Sequence, residues 1–344
     1  MKFDKAPLLR VCAALAVVVL FTAVVHEVRK GGGGAPDFPC SQSAASEVEI
    51  SISKGATGAD IAQQLLESGV TKSSAAFFRL AVGDKRSQRI APGSHRIQIG
   101  ICSQDALDQL LDPKRIVGLI NIFEGAWNTE VVAQMVAAGF SKVEVTKAMA
   151  AIALPSGFKS LEGLLFPAQY SFAPGTSAQS AVSAMVERGN LEIGKSGISA
   201  SNGKYSAQQL LTIASIVQAE ADQKDFSKVS RVIRNRLEKG MPLQMDSTVH
   251  YVKKVRGKIF LSTASTLLKS DYNTYRKYGL PPGPIGNPGV AAMRAAVNPE
   301  LGDWIYFITV APADTRFTAS NDQFNLWKAE YKKNLRAGAF RSNK

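Results

Sequence analysis

The sequence predicts an α+β protein with an apolar N-terminal helix, a small α+β domain and a larger α+β domain. Three observations predict this class. An apolar run stands near the N-terminus. Segments with strand-like alternation and segments with helical apolar spacing follow one another in the first half. Stretches rich in Pro and Gly, which form neither helices nor inner strands, interrupt the second half.

The N-terminal apolar run predicts a membrane anchor. Residues 7–27 have about the length needed to span a bilayer, roughly 17 to 25 residues, and the only polar residue between positions 11 and 25 is Thr22. The sequence after the run, from His26, lacks the small residues of a signal-peptide cleavage site. We therefore predict an uncleaved single-pass anchor in the inner membrane. The early positive charges favour a cytoplasmic N-terminus, residues 1–6, with the bulk of the chain periplasmic.

Residues 28–46 are rich in Gly, Ala, Pro and Ser and predict a flexible linker. The residues that follow, 47–118, alternate between strand and helix patterns and predict the small α+β domain. Its expected order is a strand from Val48, helices over 59–69 and 73–82, a strand from Pro92 and a helix over 103–111.

Glu220 is the first candidate functional residue. It ends the apolar run 210–220, and on a helix its neighbours at i−4 and i−3 are Ile216 and Val217. Burial on this apolar face would raise the pKa of the carboxyl above its usual value of about 4.3. A carboxyl that is protonated near neutral pH suits a general acid. A helix-end carboxylate that reaches solvent or pairs with Lys224 is the alternative, which this helix alone favours.

Two polar segments follow Glu220. The first places Gln244, Asp246, Ser247 and Thr248 among apolar residues. The second, 272–289, begins Tyr-Asn-Thr-Tyr and continues with Pro or Gly at almost every other position, which predicts a stiff loop. Such loops often line binding clefts, although this one is also long enough to be a plain connector.

These segments resemble those of the YceG-like family of endolytic murein transglycosylases, and the resemblance spans nearly the whole chain after the N-terminal segment. The matching segments are Glu124-Gly with Trp127, Leu161-Glu-Gly-Leu-Leu-Phe-Pro167, Tyr170, Gly175-Thr176, Ala214-Ser-Ile-Val with Glu220, Asn235-Arg-Leu, Gly240-Met-Pro-Leu-Gln-Met-Asp246, Thr248-Val with Tyr251, Tyr272-Asn-Thr-Tyr275, Gly279-Leu-Pro-Pro-Gly-Pro-Ile285 and Asn287-Pro-Gly289.

The chain departs from the family pattern at three positions. Gln218 stands where many relatives carry an acidic residue, so Glu220 is the only carboxylate of that short stretch able to serve. Ser247 stands where relatives often have Pro. Phe324 precedes Asn325 where relatives often have His, so no role of that His is carried over.

The resemblance implies an enzyme that cleaves peptidoglycan glycan strands between N-acetylmuramic acid and N-acetylglucosamine without water. It makes residues 119–344 the catalytic domain, with Glu220 as acid and base, and residues 47–118 a LysM-like domain that positions glycan or acts as a spacer. It also implies work on nascent strands beside peptidoglycan synthases. The implied substrate-binding residues are Gln244, Asp246, Thr248, Tyr251, Asn273, Tyr275 and Asn325. For Gln244, Asn273 and Tyr275, holding the Pro-rich loop in place is an equally open alternative.

Other functions remain open at this stage. Asp246 is a candidate second carboxylate, which would make the enzyme a lysozyme-like hydrolase. A catalytically weak or silent glycan-binding scaffold for cell-wall synthesis enzymes is a further alternative. A nucleic-acid binder is the weakest, because the basic residues behind the net charge of +13 are spread along the chain and no nucleic-acid fold signature is present.

No metal or cofactor is expected. The three histidines, His26, His95 and His250, are too scattered in sequence to suggest a ligand set, and no phosphate- or dinucleotide-binding glycine pattern is present. Cys40 and Cys102 would meet an oxidising compartment. The sequence leaves open whether they form a disulfide or stay as two thiols.

Overall fold

A computed structural model describes the residues 35–40, 46–53, 55–173, 175–199, 203–256 and 261–340. The predicted cytoplasmic segment 1–6 and anchor 7–27 lie outside these residues, as does most of the linker 28–46. Within the described ranges, no helix is both long enough and apolar enough to cross a bilayer. The chain divides into two compact units, one ending at Val117 and the other beginning at Gly118.

In the described part of the N-terminal unit, an antiparallel strand pair is combined with three α-helices. Its elements are β1 (Glu47–Ile52), α1 (Gly58–Glu67), α2 (Ser74–Gly83), β2 (Gly93–Gln98) and α3 (Ser103–Leu111). The strands pair with Glu47 opposite Gln98 and Ile52 opposite Gly93. Thr57 and Asp60 form a capping box that fixes the start of α1. The α+β class predicted from alternation is therefore confirmed.

A separate apolar core holds this unit together. Alternate residues of the strands, Ile50, Ile52 and Ile97, point inward and pack with Leu65 of α1 and Phe77 of α2. All five side chains are buried, as the period-two and period-3.6 patterns require.

Cys40 and Cys102 form a disulfide, with Cα atoms 4.9 Å apart, which resolves the alternative that the sequence left open. The bond attaches the segment before β1 to the start of α3. Asp37 reinforces this attachment, because its Oδ2 accepts the backbone N–H of Ser103 at 3.0 Å. Ser73 adds a further bond, its hydroxyl donating to the Pro36 carbonyl at 2.8 Å.

The C-terminal unit is mainly helical, with three helices preceding the segment that carries Glu220. Its elements are β3 (Ile120–Asn121), α4 (Asn128–Ala137), α5 (Lys142–Ala151), β4 (Gln169–Tyr170), α6 (Ala178–Ser196), α7 (Ala207–Glu220), α8 (Phe226–Glu238), α9 (Asp246–Lys253), α10 (Thr263–Thr266), α11 (Val290–Val297), β5 (Tyr306–Ala311), β6 (Asp314–Thr318) and α12 (Asn321–Arg336). Two strand pairs, β3 with β4 and β5 with β6, are both antiparallel.

Helix α7 lies at the centre of this unit and packs against α8, α9 and α11. A capping box formed by Ser206 and Gln209 fixes its start. Every side chain from Leu210 to Val217 is buried, so the helix is enclosed on all sides until its last turn. The Pro-rich stretch 279–289 is irregular, as predicted, and Ile285 within it donates its N–H to Ser215 of α7 at 3.0 Å.

Candidate active site

A cavity of about 400 Å³ opens at the C-terminal end of α7. Its wall comes from the end of α7, the segment before α9, the start of β5 and one face of α12. The lining residues are Glu220, Arg236, Leu243, Gln244, Met245, Asp246, Tyr275, Tyr306, Phe307, Phe324 and Lys328. The cavity therefore combines two carboxyl groups, two cationic groups and an aromatic wall.

Glu220 is the last residue of α7 and is partly buried. Its Oε1 accepts the backbone N–H of Ser247 at 3.0 Å. Burial raises the pKa of Glu220 above its usual range, because the charged form loses its hydration. Hydrogen bonding to Ser247 opposes this rise, the Asp246 carboxylate adds to it, and the charge of Arg236 opposes it. The net result is a carboxyl at the cavity wall that holds its proton to a higher pH than an exposed glutamate does.

Asp246 lies beside Glu220 as the first residue of α9. Tyr275 donates its hydroxyl to Asp246 Oδ1. Burial, with this hydrogen bond and the charge of Asp246 adding to it, raises the pKa of Tyr275, so the phenol remains a donor. Asp246 thus accepts a hydrogen bond from a partner that is itself part of the cavity wall.

Gln244 has a backbone φ of 53°, in the left-handed region. That conformation is unfavourable for a residue with a side chain and is found at sites where the surroundings enforce it. The backbone N–H of Gln244 donates to the Thr274 carbonyl at 3.1 Å, which anchors the turn. The exposed Gln244 side chain lines the cavity, where its amide offers both a donor and an acceptor.

Thr248 and Asn273, which the resemblance implied as binding residues, are fully buried behind the wall and do not line the cavity. Thr248 donates to the Met245 carbonyl at 2.7 Å and contacts the hydroxyl of Thr274 at 3.0 Å. Asn273 donates to two carbonyls of the preceding loop at 3.0 and 2.8 Å and accepts the N–H of Tyr275 at 3.1 Å. Both side chains therefore shape the segments that carry Asp246 and Tyr275.

Tyr251 belongs to a different cluster. Its hydroxyl donates to Glu162 Oε2 at 3.0 Å, and its ring meets Trp127 edge-on with centroids 6.1 Å apart. Glu162 also accepts the N–H of Asn128 at 3.0 Å, at the start of α4. Burial raises the pKa of Glu162. The sequence analysis gave no role to the Glu162 carboxyl, although Glu162 lies in the segment 161–167 that matches the YceG-like family.

Asn325 is exposed on α12 and is not among the lining residues. Phe324 and Lys328, four residues apart, lie on the helix face that borders the cavity. Asn325 is one position away, about 100° around the helix. The family motif therefore identified the helix that borders the cavity, but the side chains that reach the cavity are those of Phe324 and Lys328 and not that of Asn325.

Sequence reasoning also missed Arg236, Tyr306, Phe307 and Lys328. Arg236 is buried, and its guanidinium donates to the Ile305 and Leu243 carbonyls at 2.6 and 2.7 Å. Tyr306 stacks on Phe324 with centroids 4.9 Å apart. The Asn235-Arg-Leu motif was the one available signal for Arg236. The other three come from β5 and α12, whose contact with the site is purely tertiary.

Among the described residues, one group of three side chains has metal-ligand spacing, namely Cys40, Cys102 and Asp105. Its two sulfur atoms are joined in the disulfide, and a disulfide sulfur is not the thiolate that metals bind.

The chain belongs to the YceG-like family, whose model matches residues 50–330. It is 30% identical over 317 residues to an endolytic murein transglycosylase of Bacillus subtilis, covering 85% of this chain and 87% of that protein. It is also 34% identical over 170 residues to an endolytic murein transglycosylase of Streptococcus pneumoniae, covering 47% of this chain and 30% of that protein.

The fold is similar to a crystal structure of a yceG-like protein from Listeria monocytogenes. The TM-score is 0.57 at 27% sequence identity, and the match covers 81% of this chain and 98% of that one.

Proposed function

We propose that this protein is an endolytic murein transglycosylase that cuts peptidoglycan glycan strands between N-acetylmuramic acid and N-acetylglucosamine. Its membership of the YceG-like family and the names of its relatives support the reaction class. The observation that carries the assignment within the chain is the buried Glu220, with its raised pKa, at the wall of the cavity.

The first chemical step uses Glu220 as a general acid. Its carboxyl proton passes to the glycosidic oxygen as the bond from that oxygen to C1 of the muramoyl residue breaks. A raised pKa extends the pH range over which the carboxyl holds this proton, which the step requires. The products of the step are a free N-acetylglucosamine hydroxyl, a cationic C1 centre and the Glu220 carboxylate.

The second step uses the same residue as a base. The 6-hydroxyl oxygen of the muramoyl residue attacks C1, and its proton passes to the Glu220 carboxylate. A 1,6-anhydro ring forms, no water is consumed, and the enzyme returns to its protonated state. Because the sugar supplies its own nucleophile, one acid/base suffices where hydrolases use two carboxylates.

The remaining lining residues support substrate binding. Gln244 offers an amide for the acetamido or hydroxyl groups of the sugars, and Tyr306 with Phe324 offers an apolar surface. Asp246 accepts the hydroxyl of Tyr275 and so belongs to the wall. If Asp246 instead served as a second carboxylate, the enzyme would be a hydrolase that releases reducing ends.

The predicted domain 47–118, which lies in the N-terminal unit up to Val117, serves in this proposal as a LysM-like module that positions glycan. A cavity of about 340 Å³ between α1, α2 and the turn before β2 supports this role, with Phe78 and Val82 exposed at its wall. The test is peptidoglycan binding by the full chain carrying Glu220→Gln, with and without Phe78→Ala. Equal binding by the two proteins would leave the unit as a spacer.

The proposed location is the inner membrane, with residues 7–27 as anchor and both units in the periplasm, close to peptidoglycan synthases. The disulfide supports an oxidising compartment. Protease added outside spheroplasts should digest the protein, and full protection would contradict this location.

The experiment that tests the function compares the wild-type protein with Glu220→Gln on purified peptidoglycan and identifies the new glycan ends by mass spectrometry. We expect 1,6-anhydro ends from the wild type and about a hundredfold to ten-thousandfold fewer from Glu220→Gln, the usual contribution of a general acid/base. Loss of cleavage with unchanged glycan binding would identify an enzyme. Reducing ends, heavier by one water, would indicate hydrolysis. No new ends from the wild type would favour a catalytically silent scaffold.

A further inference from the structure

The two carboxyl oxygens of Glu220 have different surroundings. Oε1 accepts the Ser247 N–H at 3.0 Å. Among the residues that the structure describes, no group donates to Oε2, and Oε2 is not sealed from solvent. Glu220 lines the cavity, so Oε2 is the carboxyl oxygen that has no protein donor and is left to meet a ligand there.

The Ser247 N–H is available for this bond because of its place in α9. The helix begins at Asp246, so Ser247 lies in the first turn, where backbone N–H groups have no partner within the helix. The next N–H, of Thr248, turns back to the Met245 carbonyl at 3.2 Å. Donation to Glu220 therefore takes no hydrogen bond away from α9.

A neutral carboxyl group has one carbonyl oxygen, which accepts, and one hydroxyl oxygen, which carries the proton. A fixed backbone donor at Oε1 favours the form in which Oε1 is the carbonyl oxygen. The proton then lies on Oε2, toward the cavity. A carboxyl without this donor could carry its proton on either oxygen.

We propose that Ser247 is a positioning residue for Glu220, whose backbone N–H fixes Oε1 as the acceptor and so places the transferable proton on Oε2. This inference rests on the proposed function, since it concerns which oxygen of the general acid meets the glycosidic bond. The hydroxyl of Ser247 is enclosed and has no hydrogen-bond partner among the described residues. The backbone N–H is therefore the group that makes the contact.

The donor also has a consequence for pH dependence. It favours the ionised form of Glu220, as does Arg236, whereas burial and the Asp246 carboxylate oppose ionisation. Tyr275, Tyr306 and Lys328 complete the titratable groups that line the cavity. Removing only the Ser247 donor leaves all of these in place, so the pKa of Glu220 should rise and the acid should stay protonated to higher pH.

The test compares Ser247→Pro, which removes the N–H, with Ser247→Ala, which keeps it. Proline is tolerated in the first turn of a helix because no intrahelical N–H is lost. In Ser247→Pro we expect the high-pH limb of kcat/KM to move upward by about one to two pH units, the size expected for one hydrogen bond to a charged group. Ser247→Ala keeps the N–H but removes a hydroxyl near Glu220 that also lowers the pKa of the carboxyl, so its limb should move upward less than that of Ser247→Pro.

The inference would be overturned if the high-pH limb of kcat/KM lay at the same pH in Ser247→Pro and Ser247→Ala. Thermal melting must first show that both proteins are folded. If Ser247→Pro does not fold, the Ser247 amide proton of the ¹⁵N-labelled full-length protein provides a second test. Its chemical shift should follow the ionisation of Glu220 in the wild type and become independent of pH in Glu220→Gln. A shift that titrates identically in both proteins would also overturn it.

The two proposals fail in different ways. A wild-type protein that produces no anhydro ends would refute the transglycosylase assignment. A wild-type protein that produces them, with a pH profile that Ser247→Pro leaves unchanged, would refute only the role of Ser247.

Discussion

At the scale of single residues, the Glu220 carboxyl is subject to burial and to hydrogen bonding, which act on its ionisation in opposite directions. The apolar last turns of α7 withdraw it from water, while Ser247 offers it a donor. The protonated form suits acid catalysis, but the protein must then bury a carboxyl that would ionise freely in the unfolded chain. Function at this residue therefore has a cost in stability at neutral pH.

This cost predicts a pH-dependent stability effect of Glu220→Gln. The pKa of Glu220 is raised in the folded state, so its contribution to stability is fully present below the ordinary carboxyl pKa and is lost as pH rises through the raised value. A glutamine at this position does not ionise, so it loses no stability as the pH rises. Its amide oxygen can still accept the Ser247 N–H. Each pH unit by which the pKa is raised corresponds to about 1.4 kcal/mol, or roughly 3–6 °C in Tm for a folded domain of the size of the C-terminal unit.

The measurement is the Tm of both proteins between pH 4 and pH 8. The two values should be close at pH 4, and the variant should melt at higher temperature at pH 8. A Tm difference that stays constant across this range would show that Glu220 ionises as easily in the folded protein as in the unfolded chain.

At the scale of secondary-structure elements, the site depends on how closely α6 approaches the segment around Leu164. Gly189 of α6 is buried, and a Cβ at this position would overlap the Leu164 carbonyl oxygen. The neighbouring N–H of Leu165 donates to Asn287 Oδ1 at 2.9 Å, in the Pro-rich loop. The absence of a side chain at Gly189 thus allows α6 to pack directly on the backbone of Leu164. The next residue, Leu165, is hydrogen-bonded to the Pro-rich loop that packs against α7.

Gly189→Ala should therefore destabilise the protein by about 1–3 kcal/mol, the usual cost of overpacking a core. Gly194 is a matched control, since it lies in the same helix, is exposed and has open space where a Cβ would go. Gly194→Ala should stabilise the protein by up to about 1 kcal/mol through helix propensity. Denaturant unfolding followed by circular dichroism measures both, and equal effects of the two substitutions would contradict the close approach.

The secondary-structure elements of the C-terminal unit differ in how far the sequence could predict them. Helix α7 and the irregular Pro-rich loop were predictable because apolar periodicity and Pro content act locally. Arg236, Tyr306 and Lys328 were not, because they reach the cavity through the packing of α8, β5 and α12. The left-handed backbone of Gln244 was also hidden, since glutamine gives no sequence signal for positive φ.

The resemblance had a similar limit. It identified segments rather than side-chain directions, so Thr248 and Asn273 lie behind the wall that they were expected to line. A buried residue that holds a loop and an exposed residue that binds a ligand look alike in a motif, because both are polar residues at a fixed spacing. Only the hydrogen bonds of Asn273 to its own loop distinguish the two roles.

At the scale of the whole molecule, the chain has two compact units with separate apolar cores, and the disulfide lies entirely within the first. Its two cysteines are 62 residues apart in sequence. In the chain-entropy model, a cross-link over this distance stabilises the folded state by about 4 kcal/mol. The effect should be confined to the N-terminal unit, because only that unit has its unfolded chain restrained.

We therefore expect reduction, or the double substitution Cys40→Ser and Cys102→Ser, to accelerate hydrogen exchange in β2 and α3 while exchange in α7 stays unchanged. Cys12→Ser is the control, since it removes a cysteine without touching the disulfide. Peptide-resolved exchange of the full-length protein gives both regions in one experiment. Faster exchange in α7 as well would show that the two units unfold together, and glycan cleavage would then depend on the disulfide through the stability of the whole chain.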